Sequence, residues 1–256
     1  MKLLRGCWEL EVRPERGGRI TSLRLDGEEL IEQGIGTDDP GAAGFVAGGA
    51  FGWDEMVPTV DATEALPDHG EAWRLPWQVG SVARSSVFMR CAGRVVPWEL
   101  GRLIDLEDDR VRVSYTYTNR GTSPHYAYWC AHPLFRFEAG MEIGVPGGSR
   151  LAALAEGTSE KLFLPPGSVD RARLGWRSGA AIEVAWDVSV TPYVGVWVCN
   201  GDLGGYLQVA IEPATGGYDR PDSTAPAPLL WPGGELKWWL EIRDGRRFRT
   251  LGPNRA

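Results

Sequence analysis

Apolar and polar positions alternate with period two in three long stretches. Trp8-Glu9-Leu10-Glu11-Val12-Arg13 alternates strictly, as does Arg110 to Thr118, and Leu236 to Arg243 repeats the pattern around a doubled Trp238-Trp239. Such alternation presents one set of side chains to a core and the other to solvent, as in half-buried antiparallel strands. Gly17-Gly18, Asp26-Gly27, Asn119-Arg120-Gly121, Pro146-Gly147-Gly148 and Pro232-Gly233-Gly234 punctuate the chain as turns. Ile20 to Ile31 reads as a hairpin turning at Asp26-Gly27. No long apolar stripe with period 3.6 and caps occurs. The expected fold class is all-β, a large antiparallel β-sandwich.

Gly34 to Asp68 breaks the alternation. It is rich in Gly, Asp and Pro, with Phe51, Trp53 and Met56 interspersed. A loop this long in a compact domain is functional or disordered, and its buried-type residues favour an ordered strap across a sheet face. No linker or internal repeat divides the rest, so a single domain over residues 1–256 is expected.

At 256 residues the chain is long enough to bury a core without disulfides or a metal. Its 34 glycines and 18 prolines mean many turns. A net charge of −7 argues against nucleic acid and against an anionic membrane surface. The cysteines, Cys7, Cys91, Cys130 and Cys199, form no C-x-x-C pair and read as buried apolar residues or free thiols of a reducing compartment. The N-terminus turns charged before a signal-peptide core forms, and no apolar stretch approaches the roughly 18 residues of a membrane helix. Cytoplasmic location is the expectation.

Of three histidines, two sit in chemically suggestive settings, Pro67-Asp68-His69-Gly70-Glu71 and Ala131-His132-Pro133. Glu212 ends the apolar run Tyr206 to Ile211. Two imidazoles and a carboxylate suffice to move protons on a neutral substrate near pH 7, and their wide spacing means that only the fold can assemble them. Bland readings stand beside each: His69 as a turn histidine, His132 as a satisfied core residue, Glu212 as a turn cap. His125 reads as solvated. Twelve tryptophans are many for this length; Trp53, Trp73, Trp77 and Trp231 fall where a sugar could stack, whereas Trp186 and Trp197 read as core. The histidines lack metal-ligand spacing, and no Walker loop, dinucleotide fingerprint or nucleophile elbow occurs. No metal and no cofactor are expected.

Taken in order, Gly17-Gly18-Arg19-Ile20, Phe51-Gly52-Trp53-Asp54-Glu55-Met56, Asp68-His69-Gly70-Glu71 with Trp77, His132-Pro133-Leu134-Phe135, Pro192 to Trp197 and Ile211-Glu212-Pro213 resemble the galactose mutarotase-like superfamily, the aldose 1-epimerases and their relatives. The resemblance implies that family's supersandwich with a sugar cleft on one concave sheet. It implies Glu212 as the base at the anomeric hydroxyl, His132 as the acid at the ring oxygen and His69 as the second histidine beside it. Trp73, Arg74 and Trp77 become candidate substrate contacts, and Asp54 and Asp219 candidates for the sugar-binding aspartate. The chain departs from the family's 6-phosphate pattern, His-Gly-x-Ala-Arg, in carrying Trp73 at the arginine position with Arg74 next to it. Arg19 lies too far off in sequence to be assigned as the arginine that precedes the first histidine in galactose mutarotases.

The leading expectation is therefore a mutarotase-like isomerase acting on a small carbohydrate. A carbohydrate-binding protein without turnover is one alternative. The other is an isomerase or lyase for a phosphosugar or sugar acid, with Arg74 engaging the anion. A monomer or a homodimer fits equally.

Overall fold

The alternating segments fold as their pattern dictates. Trp8–Arg13, Arg110–Asn119 and Glu235–Asp244 are strands. Asp26 and Gly27, at φ 53° and 81°, turn the first hairpin, pairing Arg24 with Glu29 and Leu25 with Glu28. Positive φ at both central residues suits the twist of the flanking strands. The structure, a computed structural model, describes residues 1–36 and 38–247; Thr37 and residues 248–256 of the expected 1–256 domain lie outside them.

Two large sheets result. The first runs β1 (Lys2–Arg5), β2 (Trp8–Arg13), β3 (Arg19–Leu25), β5 (Trp53–Met56), β11 (Cys130–Arg136), β17 (Leu207–Ala214), β16 (Tyr193–Asn200), β13 (Thr158–Leu164), with β4 (Glu28–Glu29) on β3. The second runs β12 (Glu142–Gly144), β14 (Arg171–Gly175), β15 (Ala181–Trp186), β19 (Glu235–Asp244), β9 (Arg110–Asn119), β8 (Trp98–Leu106), β7 (Ser86–Ala92), β6 (Gln78–Val82). β10 (His125–Tyr126) and β18 (Leu229–Leu230) form a separate ribbon. All of these pairings are antiparallel. Among the described residues Gly148–Ala152 is the one α-helix, and no helix of theirs is long and apolar enough to cross a membrane.

Period-two alternation decides which face each residue serves. Ala131 and Phe135 of β11, Val209 and Ile211 of β17, and Val194, Val196 and Val198 of β16 join Trp8, Trp98 and Trp186 in the core shared by both sheets. Burying each Val, Ile or Phe among them contributes roughly 1.5–3 kcal/mol. The intervening residues Cys130, Leu134, Ala210, Ala214 and Cys199 belong to a second cluster with Phe45, Ala50 and Trp73. That second face carries the cleft. Trp53, a candidate sugar platform, is instead fully buried in the shared core.

Between the sheets lies one fully buried ionic network. Glu55 Oε1 accepts from Arg102 Nη1 and from Tyr115 OH, both at 2.9 Å, and Oε2 accepts from Trp129 Nε1 at 2.7 Å. Arg102 lies over the Trp77 ring, 4.7 Å from its centroid.

Within the segment expected to be a loop, Trp53–Met56 is instead strand β5, paired between β3 and β11, and residues 38–52 form the strap across the sheet face. Arg16 donates to Asp38 Oδ1 at 2.5 Å and, at 2.8 Å each, to the carbonyls of Trp73 and Gly48, while Arg19 reaches Asp38 at 3.3 Å. These bonds tie the strap to the sheet and set Phe45, Val46 and Ala50 over the cleft. His125 is not the solvated residue expected: its Nε2 lies 3.0 Å from Tyr117 OH, and burial lowers its pKa. Cys91, Cys130 and Cys199 are buried free thiols.

Candidate active site

Strand register builds the centre of the site. β11 pairs with β17 so that Cys130 meets Ala214 and Leu134 meets Ala210, which sets His132 opposite Glu212 on the cleft face. His132 Nε2 lies 3.5 Å from Glu212 Oε1. Both are buried, at 6% and 1% exposure, beneath a cleft of about 240 Å³. His69, Lys161, Gln208, Trp197, Asp61 and Asp219 also line it.

His69 reaches the cleft from a strained turn. It adopts φ 56° and is followed by Gly70 at φ 69°, while its backbone N–H donates to Val60 O at 2.7 Å. A Cβ at position 70 would sit 2.2 Å from Val57 O, so glycine there is a steric requirement as well as a conformational one. Asp68 Oδ1 lies 2.8 Å from His69 Nδ1. This hydrogen bond holds the Asp68 carboxyl below its ordinary pKa and assigns the ring proton to Nδ1. Phe45 stacks on His69 at 4.5 Å and meets His132 edge-on at 5.2 Å; the imidazoles stand edge-on at 5.4 Å. Gly70→Ala is expected to cost about 1–3 kcal/mol for backbone conformation alone, plus the clash with Val57. Gly27→Ala, at φ 81° with open space around it, carries only the conformational cost. Equal losses for the two in chemical denaturation would refute the steric role of Gly70.

Burial moves the central pair toward neutrality. It lowers His132 well below the usual imidazole range, helped by His69, Lys161 and Arg19. It raises Glu212, with Lys161 opposing and Asp219 reinforcing. Among the described residues no group of three or more His, Cys, Asp or Glu is arranged to hold a metal ion.

The fold gathers His69, His132, Glu212 and Asp219 at one cleft, but not the other candidates. Asp54 is adjacent to His132 across the β5–β11 pairing, yet its carboxylate is buried against Arg19, with Nη2 2.7 Å from Oδ2. Charge pairing, not a sugar hydroxyl, occupies it. Arg19, remote in sequence, is thus a buried neighbour of the site. Trp73 is buried behind Phe45, edge-on at 5.2 Å. Arg74 lies on the Trp73 ring, 4.3 Å from its centroid. Trp77 is buried beneath Arg102 and donates to Ala72 O at 3.1 Å. None of these four residues lines the cleft. Trp231 is 70% exposed and does not line it either, whereas Trp197, which reads as core, does.

Sequence reasoning missed Lys161. Its Nζ donates to Asp219 Oδ2 at 2.6 Å and lies 2.6 Å from Glu212 Oε2. The only available signal was compositional: lysine occurs at 2, 161 and 237, and every other one of the 27 basic residues is arginine.

Two packed antiparallel sheets with this cleft on one face make a β-sandwich, and solved structures described as galactose mutarotase-like share that fold. The Slr1438 protein from Synechocystis sp. PCC 6803 superposes with TM-score 0.77 at 17% identity, over 95% of this chain and 94% of its own. A galactose mutarotase-like protein from Lactobacillus casei ATCC 334 gives 0.72 at 15%, over 95% and 99%. A galactose mutarotase related enzyme from Lactobacillus acidophilus gives 0.69 at 15%, over 95% and 96%. No protein family model matches the chain, and no curated protein matches it. At these identities the likeness establishes the fold.

Proposed function

We propose that this protein is an aldose 1-epimerase-like isomerase that interconverts the α and β anomers of a neutral sugar. One observation carries the reading: His132 Nε2 and Glu212 Oε1 stand 3.5 Å apart at the floor of the cleft. The anomeric and ring oxygens of a hemiacetal share one carbon, so the groups serving them must also be near neighbours. Glu212 takes the proton from the anomeric hydroxyl as His132 delivers one to the ring oxygen. The bond from C1 to the ring oxygen then breaks to leave an aldehyde. Rotation about C1–C2 and the reverse transfers close the ring with the opposite configuration. The cycle needs one proton on the His132–Glu212 pair, so a bell-shaped pH profile is expected. A binding protein would have no use for an acid and a base so placed.

Charge favours a neutral substrate. Asp61, Glu212 and Asp219 line the cleft against Lys161, itself bound to two of them, and Arg74 is stacked elsewhere. Freshly dissolved α-glucose, α-galactose and glucose 6-phosphate, followed by polarimetry with catalytic protein, test this. Acceleration of a neutral hexose above the phosphate is expected. Acceleration confined to the phosphate would reverse the substrate reading, and saturable sugar binding without acceleration would make this a binding protein.

A further inference from the structure

Lys161 reaches Glu212 across an intervening strand. In the first sheet Phe163 of β13 pairs with Gly195 of β16, and Gly195 pairs with Glu212 of β17. Lys161 is two residues from Phe163 and so on the same face, and its Nζ lies over the Phe163 ring, 5.4 Å from the centroid. Its route to Glu212 passes over position 195. A Cβ there would sit 2.7 Å from Lys161 Cε and 3.2 Å from Glu212 Oε2. Gly195 has ordinary strand backbone, outside the left-handed region, so glycine supplies room here and not conformational freedom.

The opposite end of the contact is equally specific. Asp219, at φ 61° beside Tyr218 at φ 56°, presents Oδ2 to the same ammonium at 2.6 Å. Two adjacent non-glycine residues in the left-handed region mark a turn held against its preference. The backbone N–H groups of Val60 and Asp61 both donate to Asp219 O, at 3.1 and 3.0 Å, and fix the turn in place. Burial alone would pull the Lys161 ammonium down; Glu212 and Asp219 raise it above its usual value instead.

We propose that Lys161 is a positioning residue of this site: it crosses β16 over Gly195 and, anchored by Asp219, holds Glu212 as an oriented carboxylate with Oε1 toward His132. The passage over Gly195 carries an ammonium on an unbranched stem, in a chain that otherwise favours arginine. The inference deepens the isomerase reading and rests on it only where turnover is measured.

The charged and titratable groups facing Glu212 are Lys161 from β13, His132 and Cys130 from β11, Tyr128 just before β11, Asp219 and Asp61 from loops, and His69 from its turn. Among these Lys161 is the fixed cation. Removing it leaves Glu212 with Asp219 beside it and no counter-charge, and relieves His132 of a neighbouring positive charge. Both changes make the pair bind its proton more tightly.

The test is the protonation midpoint of Glu212, read by difference infrared spectroscopy with Glu212→Gln as the subtraction reference. Lys161→Met is expected to raise that midpoint by about 1–3 pH units and to move both limbs of the mutarotation pH profile the same way. Gly195→Ala, which keeps the lysine but closes its passage, is expected to give a shift of the same sign. The two substitutions together should add little beyond Lys161→Met alone. Should Lys161→Met fail to fold, Lys161→Met with Asp219→Asn keeps the net charge and serves in its place, its raised midpoint again supporting the inference. An unmoved midpoint with merely lower activity or stability would overturn it, as would fully additive shifts. If no sugar is turned over, the infrared midpoint still decides the role of Lys161 while the isomerase reading fails separately.

Discussion

Glu212→Gln is expected to slow anomer interconversion by about 10²–10⁴-fold while leaving the folded state intact. The substitution keeps the shape of a side chain that is 1% exposed and removes the ability to accept the anomeric proton. His132→Ala should cost a similar factor, because it removes the acid that completes the same step. Asp219, 2.6 Å from the Lys161 ammonium, remains its counter-charge in either variant. Groups that act in one concerted step lose most of their effect once either is gone. The double variant should therefore be little slower than the worse single one. Polarimetry, with circular dichroism as a check on folding, decides the matter. A rate within a factor of a few of wild type for Glu212→Gln would remove it from the chemistry.

Glu55→Leu is expected to be the most destabilising single change, at about 3–5 kcal/mol. Arg102 is wholly buried, and Glu55 is its buried counter-charge at 2.9 Å. Deleting the carboxylate strands that charge between the sheets, and also leaves Tyr115 OH and Trp129 Nε1 without their acceptor. At this chain length the loss should lower Tm by roughly 6–20 °C. Glu55→Leu combined with Arg102→Met removes both charges and should recover much of the loss. Denaturant titration of the two variants measures it. A single-variant cost below about 1 kcal/mol would mean that water or a backbone shift solvates the arginine, contrary to its burial.

Two aspartate and glutamate neighbours show why part of the site escapes the sequence. Asp54 and Glu55 are consecutive in a strand, so the pleat sends them to opposite faces. Asp54 goes to the cleft side, where Arg19 neutralises it, and Glu55 into the core, where Arg102 does. Alternation makes their opposite directions legible, but not their partners, which come from β3 and β8. Trp73, Trp77 and Arg74 follow His69 closely in sequence and read as its companions. Beyond the turn at Gly70 they pack behind Phe45, beneath Arg102 and on one another.

His69, His132 and Glu212 were readable because imidazoles are rare here and a carboxylate ending an apolar strand calls for an explanation. Lys161 offered no such cue. It stands in an ordinary polar run, and its importance exists only because β13, β16 and β17 lie side by side with a glycine in the middle.

The sequence by itself determined the three alternating strands, the hairpin turn and the identity of the acid–base candidates. These follow from local physics: side-chain period, backbone freedom at Asp26-Gly27, and the cost of leaving apolar or ionisable groups in the wrong surroundings. Tertiary structure alone decided that His132 faces Glu212 at 3.5 Å, that Arg19 answers Asp54 and that Lys161 passes over Gly195. Those contacts join strands distant in the chain, and their registers are set by packing two whole sheets together. Within each strand, the local pattern could say which face a residue serves, but not what it meets there.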